Sequence, residues 1–141
     1  MVAPFTERDE RDMKAGTILM YQCSGSEYSK LRQIFAMLRL RMRPVEPDRY
    51  HLTLAELSQG QGELAAQQAP EQIVQEPMLV FCELSEALLA QVLEVIRLAK
   101  LPPIALKAVL TQDNRDWTTA QLYQELLRER ESIAAGQQAE S

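Results

Sequence analysis

The residues best placed for chemistry lie between positions 107 and 117: Lys107, Asn114, Arg115, Asp116 and the only tryptophan, Trp117. A lysine and an arginine beside a strand-to-helix turn suit an anion. The first N–H groups of a helix lack intrahelical partners and carry the positive end of its dipole. The same residues also have structural uses, since a turn Asn bonds nearby backbone and Trp117 can pack on Leu122 across the cap Thr118. Lys107, Asn114, Arg115 and Trp117 are therefore the candidate binding residues. No glycine-rich cradle precedes the helix, which excludes phosphate binding in the P-loop manner.

Two further groupings carry reactive types. Cys23 and Cys82 follow or end apolar runs and could meet across a sheet as a redox pair or half a metal site. A tetrahedral zinc site needs four ligands, and His51 is the only histidine. As a thiol nucleophile, either cysteine would need a lowered pKa and an orienting third group, and neither is visible nearby. Arg39, Arg41 and Arg43, with Arg49, Lys30 and Arg32, form the best basic patch. Aromatic residues of the kind that stack on single strands are not interleaved with it. A solvated face is the plainer reading.

The chain has 141 residues, 46% hydrophobic and 25% charged, with a formal net charge of −5. That composition builds a core and disfavours a dedicated nucleic-acid binder. Positions 16–57 hold six Lys/Arg against four acids, and 77–132 hold six against eight. Two cysteines imply no disulfide framework. The N-terminus has no apolar stretch behind its charges, and no apolar run is long enough to span a membrane. A cytoplasmic protein is expected.

Along the chain, 1–15 is a charged, disordered leader. Residues 17–23 read as a buried strand, followed by a helix over 26–40 opened by a Ser24–Glu27 capping box. Residues 39–45 alternate into a strand that Pro44 confines to an edge. A helix then starts at Pro47 or at Thr53, the latter with Glu56 as a capping box. Positions 58–76 form a Gln-rich linker. The order then restarts: strand 78–82, a helix capped by Ser85 and buried through Leu88, Leu89, Val92, Leu93, Val95, Ile96 and Ala99, and strand 104–110. A last helix has a Thr118–Gln121 box, and a flexible tail covers 131–141.

Both halves, 16–57 and 77–130, thus read strand–helix–strand–helix. At an offset of 60, Ile18, Leu19, Met20 and Tyr21 fall on Met78, Leu79, Val80 and Phe81, and after a one-residue gap Leu31, Ile34 and Phe35 fall on Val92, Val95 and Ile96. Farther on, Thr53 to Leu57 resembles Thr118 to Leu122, so an internal duplication is expected. The expected fold class is α/β (α+β), with two βαβ-type halves in a ferredoxin-like sandwich with extra helices. A small doubly wound parallel sheet is the alternative.

The residues LKAVLT, Asn114 and Trp117-Thr118, with Leu122, Glu125 and Leu126, resemble the C-terminal signature of a family of short bacterial proteins known only as a domain of unknown function. The strand at 78–81 and the helix start at Leu84-Ser85-Glu86 also fit it. Many members carry a Gly-aromatic pair where this chain has Cys82 and Glu83. The resemblance implies a bacterial cytoplasmic protein and no activity.

The functional expectation is a non-catalytic module that binds a protein partner or a small ligand, with no cofactor and no metal. A homodimer through an exposed sheet edge is left open. The rivals are a thiol-dependent enzyme or redox protein using Cys23 and Cys82, and a nucleic-acid-associated protein using Arg39, Arg41 and Arg43.

Overall fold

The computed structural model describes residues 16–60 and 73–140, the last six by backbone alone. The expected leader at 1–15 and positions 61–72 of the expected linker lie outside the described residues.

Among the described residues, four strands form one mixed sheet: β1 (Thr17–Tyr21), β2 (Arg41–Pro44), β3 (Met78–Cys82) and β4 (Leu106–Val109), in the order β2-β1-β3-β4. The helices are α1 (Ser29–Met37), α2 (Leu54–Gln59), α3 (Glu86–Leu98) and α4 (Thr119–Glu140). β1 runs parallel to β2 and β3 parallel to β4, while β1 and β3 meet antiparallel in the centre. The two expected βαβ halves are present and share the sheet.

Their strand order differs from both expected architectures. In a ferredoxin-like sheet the βαβ unit is split by an inserted strand; here β1 and β2 are neighbours. The cause lies in the short exit from α1. Arg39 turns left-handed at φ 62°, Leu40 N–H returns to Phe35 O at 3.0 Å, and Arg41 N–H bonds Gly16 O at 2.9 Å. This Schellman turn lays β2 directly beside β1. The antiparallel central pair equally departs from a parallel doubly wound sheet.

Composition fixes which strands are central. TILMY and MLVFC are apolar on both faces and demand cover on both, whereas RMRP and LKAV carry charge and form the edges. On one face Ile18, Met20, Leu79 and Phe81 pack with Leu31 and Phe35 of α1 and Val92 of α3. On the other, Leu19, Tyr21, Met78, Val80 and Cys82 pack with Leu54 and Leu57 of α2 and Leu122 and Tyr123 of α4. The result is three layers, each large side chain in them contributing roughly 1.5–3 kcal/mol by burial.

Several local expectations need correction. No Ser24–Glu27 box forms: a 3₁₀ turn, Ser26–Tyr28, precedes α1, and Gly25 caps it without a side-chain bond. The rival starts at Pro47 and Thr53 are both used, as a 3₁₀ turn Pro47–Arg49 and as the capped start of α2. In the expected linker, Val74 is wholly buried in the α2–α4 core. In the expected tail, α4 continues to Glu140. Along α3 only Val92 is fully buried, and Leu93 and Leu98 are exposed.

The halves correspond at an offset of 61, since Thr17–Tyr21 answers Met78–Cys82. The offset of 60 places Ile18 on Met78, which faces the opposite layer, the inversion a one-residue slip always produces. At 61, Ile18 answers Leu79 and Phe35 answers Ile96, each pair packed in the same layer. Backbone geometry agrees. Among the described residues, four non-glycine positions have positive φ, Gln22, Arg39, Glu83 and Lys100, and they fall into the pairs 22/83 and 39/100.

Candidate functional site

The turn between β4 and α4 is built by the residues expected to bind. Asn114 Oδ1 accepts from Thr111 N–H at 2.8 Å, and Asn114 Nδ2 donates to Val109 O at 3.0 Å. Its side chain is thereby committed to the loop. Arg115 is exposed, while its carbonyl accepts from Ala55 N–H at 2.9 Å, and the Trp117 carbonyl accepts from Leu54 N–H at 2.9 Å. Trp117 is half-buried against the α2–α4 core. Lys107 alternates with Leu106 and Ala108, both in that core, and so points to the opposite face, where its Nζ donates to Ile104 O at 2.5 Å. Asn114, Arg115 and Trp117 therefore share one loop, and Lys107 lies across the sheet from Trp117.

This loop and the start of α2 lock together. Thr53 and Thr118 form an antiparallel bridge, and each heads a capping box. Residues 77–133 match the family model of a domain of unknown function, DUF3783. The match begins one residue before β3 and ends within α4, so the DUF3783 segment is the second βαβα half. No curated protein and no solved structure matches the chain. Glu83 stands in this segment at φ 63°, a conformation glycine adopts freely.

The cysteines do not form a pair. Cys82 sits opposite Thr17 at the start of β1, whereas Cys23 follows the other end of that strand. The strand length alone separates them by roughly 13 Å, beyond disulfide reach. They also belong to opposite layers, Cys23 with α1 and Cys82 with α2 and α4. Burial pushes the Cys23 thiol up to about 11 and the Cys82 thiol up to about 12, the reverse of an activated nucleophile. His51 is exposed and both cysteines are buried. The expected pairing fails because equivalent ends of antiparallel strands are opposite ends of the sheet.

Outside the DUF3783 segment, the basic patch acquires a definite geometry along edge strand β2. Arg43 extends over the C-terminus of α2, with Nε donating to Ser58 O at 3.3 Å, where the helix dipole favours a cation. Gly60 ends that helix at φ 70°, and a Cβ there would lie 2.7 Å from Arg43 Nη1. Glycine thus provides both the left-handed turn and the room for the guanidinium. Burial, then the charges of Arg41 and Arg49, press the Arg43 guanidinium below its usual range. A hollow of about 260 Å³ opens here between Met42, Arg43, Pro44, Val45, Arg49 and Leu57.

On the other face of β2 a second hollow, about 330 Å³, is bordered by Met20, Cys23, Arg32, Met42 and Glu46 among others. Arg32 is pinned by Nη1 donating to Cys23 O at 2.7 Å and Gly25 O at 3.0 Å. Both hollows share Met42, Pro44 and Val45, so the edge strand is the rib between them. In the sequence these arginines look like a solvated face. The signal that marks Arg43 and Arg49 is Gly60 at the end of α2, legible only once α2 lies beside β2.

Proposed function

We propose that the protein is a non-catalytic binding module that recognises an anionic group at the outer flank of β2, through Arg43 and Arg49. One observation carries the reading: both guanidinium-bearing residues border the same hollow, and Arg43 is held there over the end of α2 in space left by Gly60. Arginine forks suit carboxylate and phosphate oxygens.

The matching strands, faces and positive-φ positions at offset 61 support an origin of the scaffold by internal duplication. From β2 onward the halves correspond at an offset of 65, since Leu19 pairs with Arg43 as Val80 pairs with Ala108, and Thr53 answers Thr118; the arginines then have no counterpart in the second half, where Ala108 stands at the place of Arg43 and Asn114 at that of Arg49. Recognition would then be a specialisation of the first half. The resemblance of the second half to short bacterial cytoplasmic proteins supports that setting. The sequence-favoured cluster of Asn114, Arg115 and Trp117 would serve chiefly to join the halves.

The test is binding of inorganic phosphate and polyglutamate to the full chain and to Arg43→Glu with Arg49→Glu, at low and moderate salt. Binding to the parent that weakens with salt and with charge reversal is expected. Equal behaviour of the two proteins would reject the reading.

A further inference from the structure

The geometry points to an extended acidic segment of another polypeptide as the occupant of the β2 flank, lying along the strand with acidic and apolar side chains in alternation. This rests on the flank being an anion site and adds the form of the ligand.

β2 is an open edge among the described residues. Arg41 and Val45 direct their N–H groups inward, to Gly16 O and Met20 O. By strand alternation Met42 and Pro44 turn their backbone groups outward. Met42 therefore offers an N–H and a carbonyl to an added strand, and Pro44 offers a carbonyl.

An added strand sends successive side chains to opposite faces. On the α2 face they meet the hollow with Arg43 and Arg49, where carboxylates are favoured. On the α1 face they meet the hollow with Met20, Met42 and Cys23, where apolar side chains are favoured; the one cation there, Arg32, is engaged by Cys23 O and Gly25 O and its charge is set against that of Glu46. The two hollows thus specify a period-two pattern, which a flat anion site would not.

The single outward N–H keeps the backbone ladder short, so the side chains must carry the selectivity. Proline and charge on an edge also guard against indiscriminate pairing. A second copy adding through its own β2 would bring arginines against arginines, and one adding through β4 would bring Lys107. Charge therefore favours an acidic partner over self-association at this edge.

The experiment is fluorescence anisotropy of a labelled peptide of alternating Glu and Val with the full chain. Comparators are a peptide of the same composition with its Glu contiguous, alternating peptides N-methylated on either set of alternate backbone nitrogens, and single-stranded DNA of equal charge. The alternating peptide is expected to bind best, and N-methylation of one set only to abolish binding. Arg43→Glu with Arg49→Glu should weaken it about tenfold or more, with far-UV circular dichroism and Arg49→Ala reporting on folding.

Equal binding of the contiguous peptide or the DNA, still lost on charge reversal, overturns the strand mode and leaves the anion site standing. Absence of binding by every anionic probe overturns both.

Discussion

Thr53 and Thr118 face each other across an antiparallel bridge, and each is the cap of its own helix. Leu19 and Val80, at the middle of the central strands, are paired in the same reciprocal way. Each couple joins a residue to its counterpart in the other half, as at a two-fold interface between identical subunits. The helix starts are thereby load-sharing parts of one seam.

Removing a cap should therefore weaken the whole molecule. Thr53→Ala deprives Glu56 N–H of its acceptor at 3.2 Å and is expected to cost about 1 kcal/mol. A lower urea midpoint with unchanged slope would show it.

Tyr21 and Thr119 hold a buried hydroxyl pair at 2.8 Å between the sheet and α4. Tyr21→Phe leaves the Thr119 hydroxyl without its partner and should cost roughly 1–3 kcal/mol. Adding Thr119→Val should cost less than its effect alone, and strict additivity in the double-mutant cycle would rule out coupling through this bond.

Lys100 ends α3 at φ 49°. Lys100→Gly relieves that conformation and should stabilise by about 0.5–1 kcal/mol, net of the entropy glycine adds to the unfolded chain. An unchanged or lower melting temperature contradicts this.

Buried thiols give a pH dependence of definite sign. Both cysteines have folded pKa values raised from the ordinary 9.0, to about 11 for Cys23 and about 12 for Cys82. Their stabilising contribution is complete below about pH 9 and is lost as pH rises towards 11–12, because the unfolded chain releases these protons first. Equilibrium unfolding of the parent should weaken across that window more than that of Cys23→Ala with Cys82→Ala. A thiol reagent at pH 8 should modify the parent only after unfolding.

Trp117 is half-buried, so Trp117→Ala should cost about 2 kcal/mol, below the roughly 3–5 of a fully enclosed aromatic. A calorimetric loss in the higher range would mean that the ring contributes more than its burial indicates.

Much of the fold was legible because it is written in local signals. The boxes at Thr53–Glu56 and Thr118–Gln121, the Ser85 cap and the doubly apolar strands all stand where hydrogen bonding and burial place them. What escaped depends on neighbours distant in sequence. Val74 reads as part of a polar linker until the α2–α4 layer encloses it, and Arg39 gives no local hint of its left-handed turn. The role of Asn114 was legible as turn chemistry. The pairing of Arg43 with Gly60 was not, since it needs β2 laid beside α2.

The antiparallel join of β1 to β3 bears on what the second half could do if severed from the first. Every β3 residue is buried, and its pairing with β1 is supplied by the first half. Cut at position 77, such a chain would expose one side of its most apolar strand. The docking geometry that β1 satisfies here is nearly self-complementary, so two such chains could satisfy it for each other across a true dyad. On that view the first half stands where a second subunit would, and the two sides of the seam need not be identical.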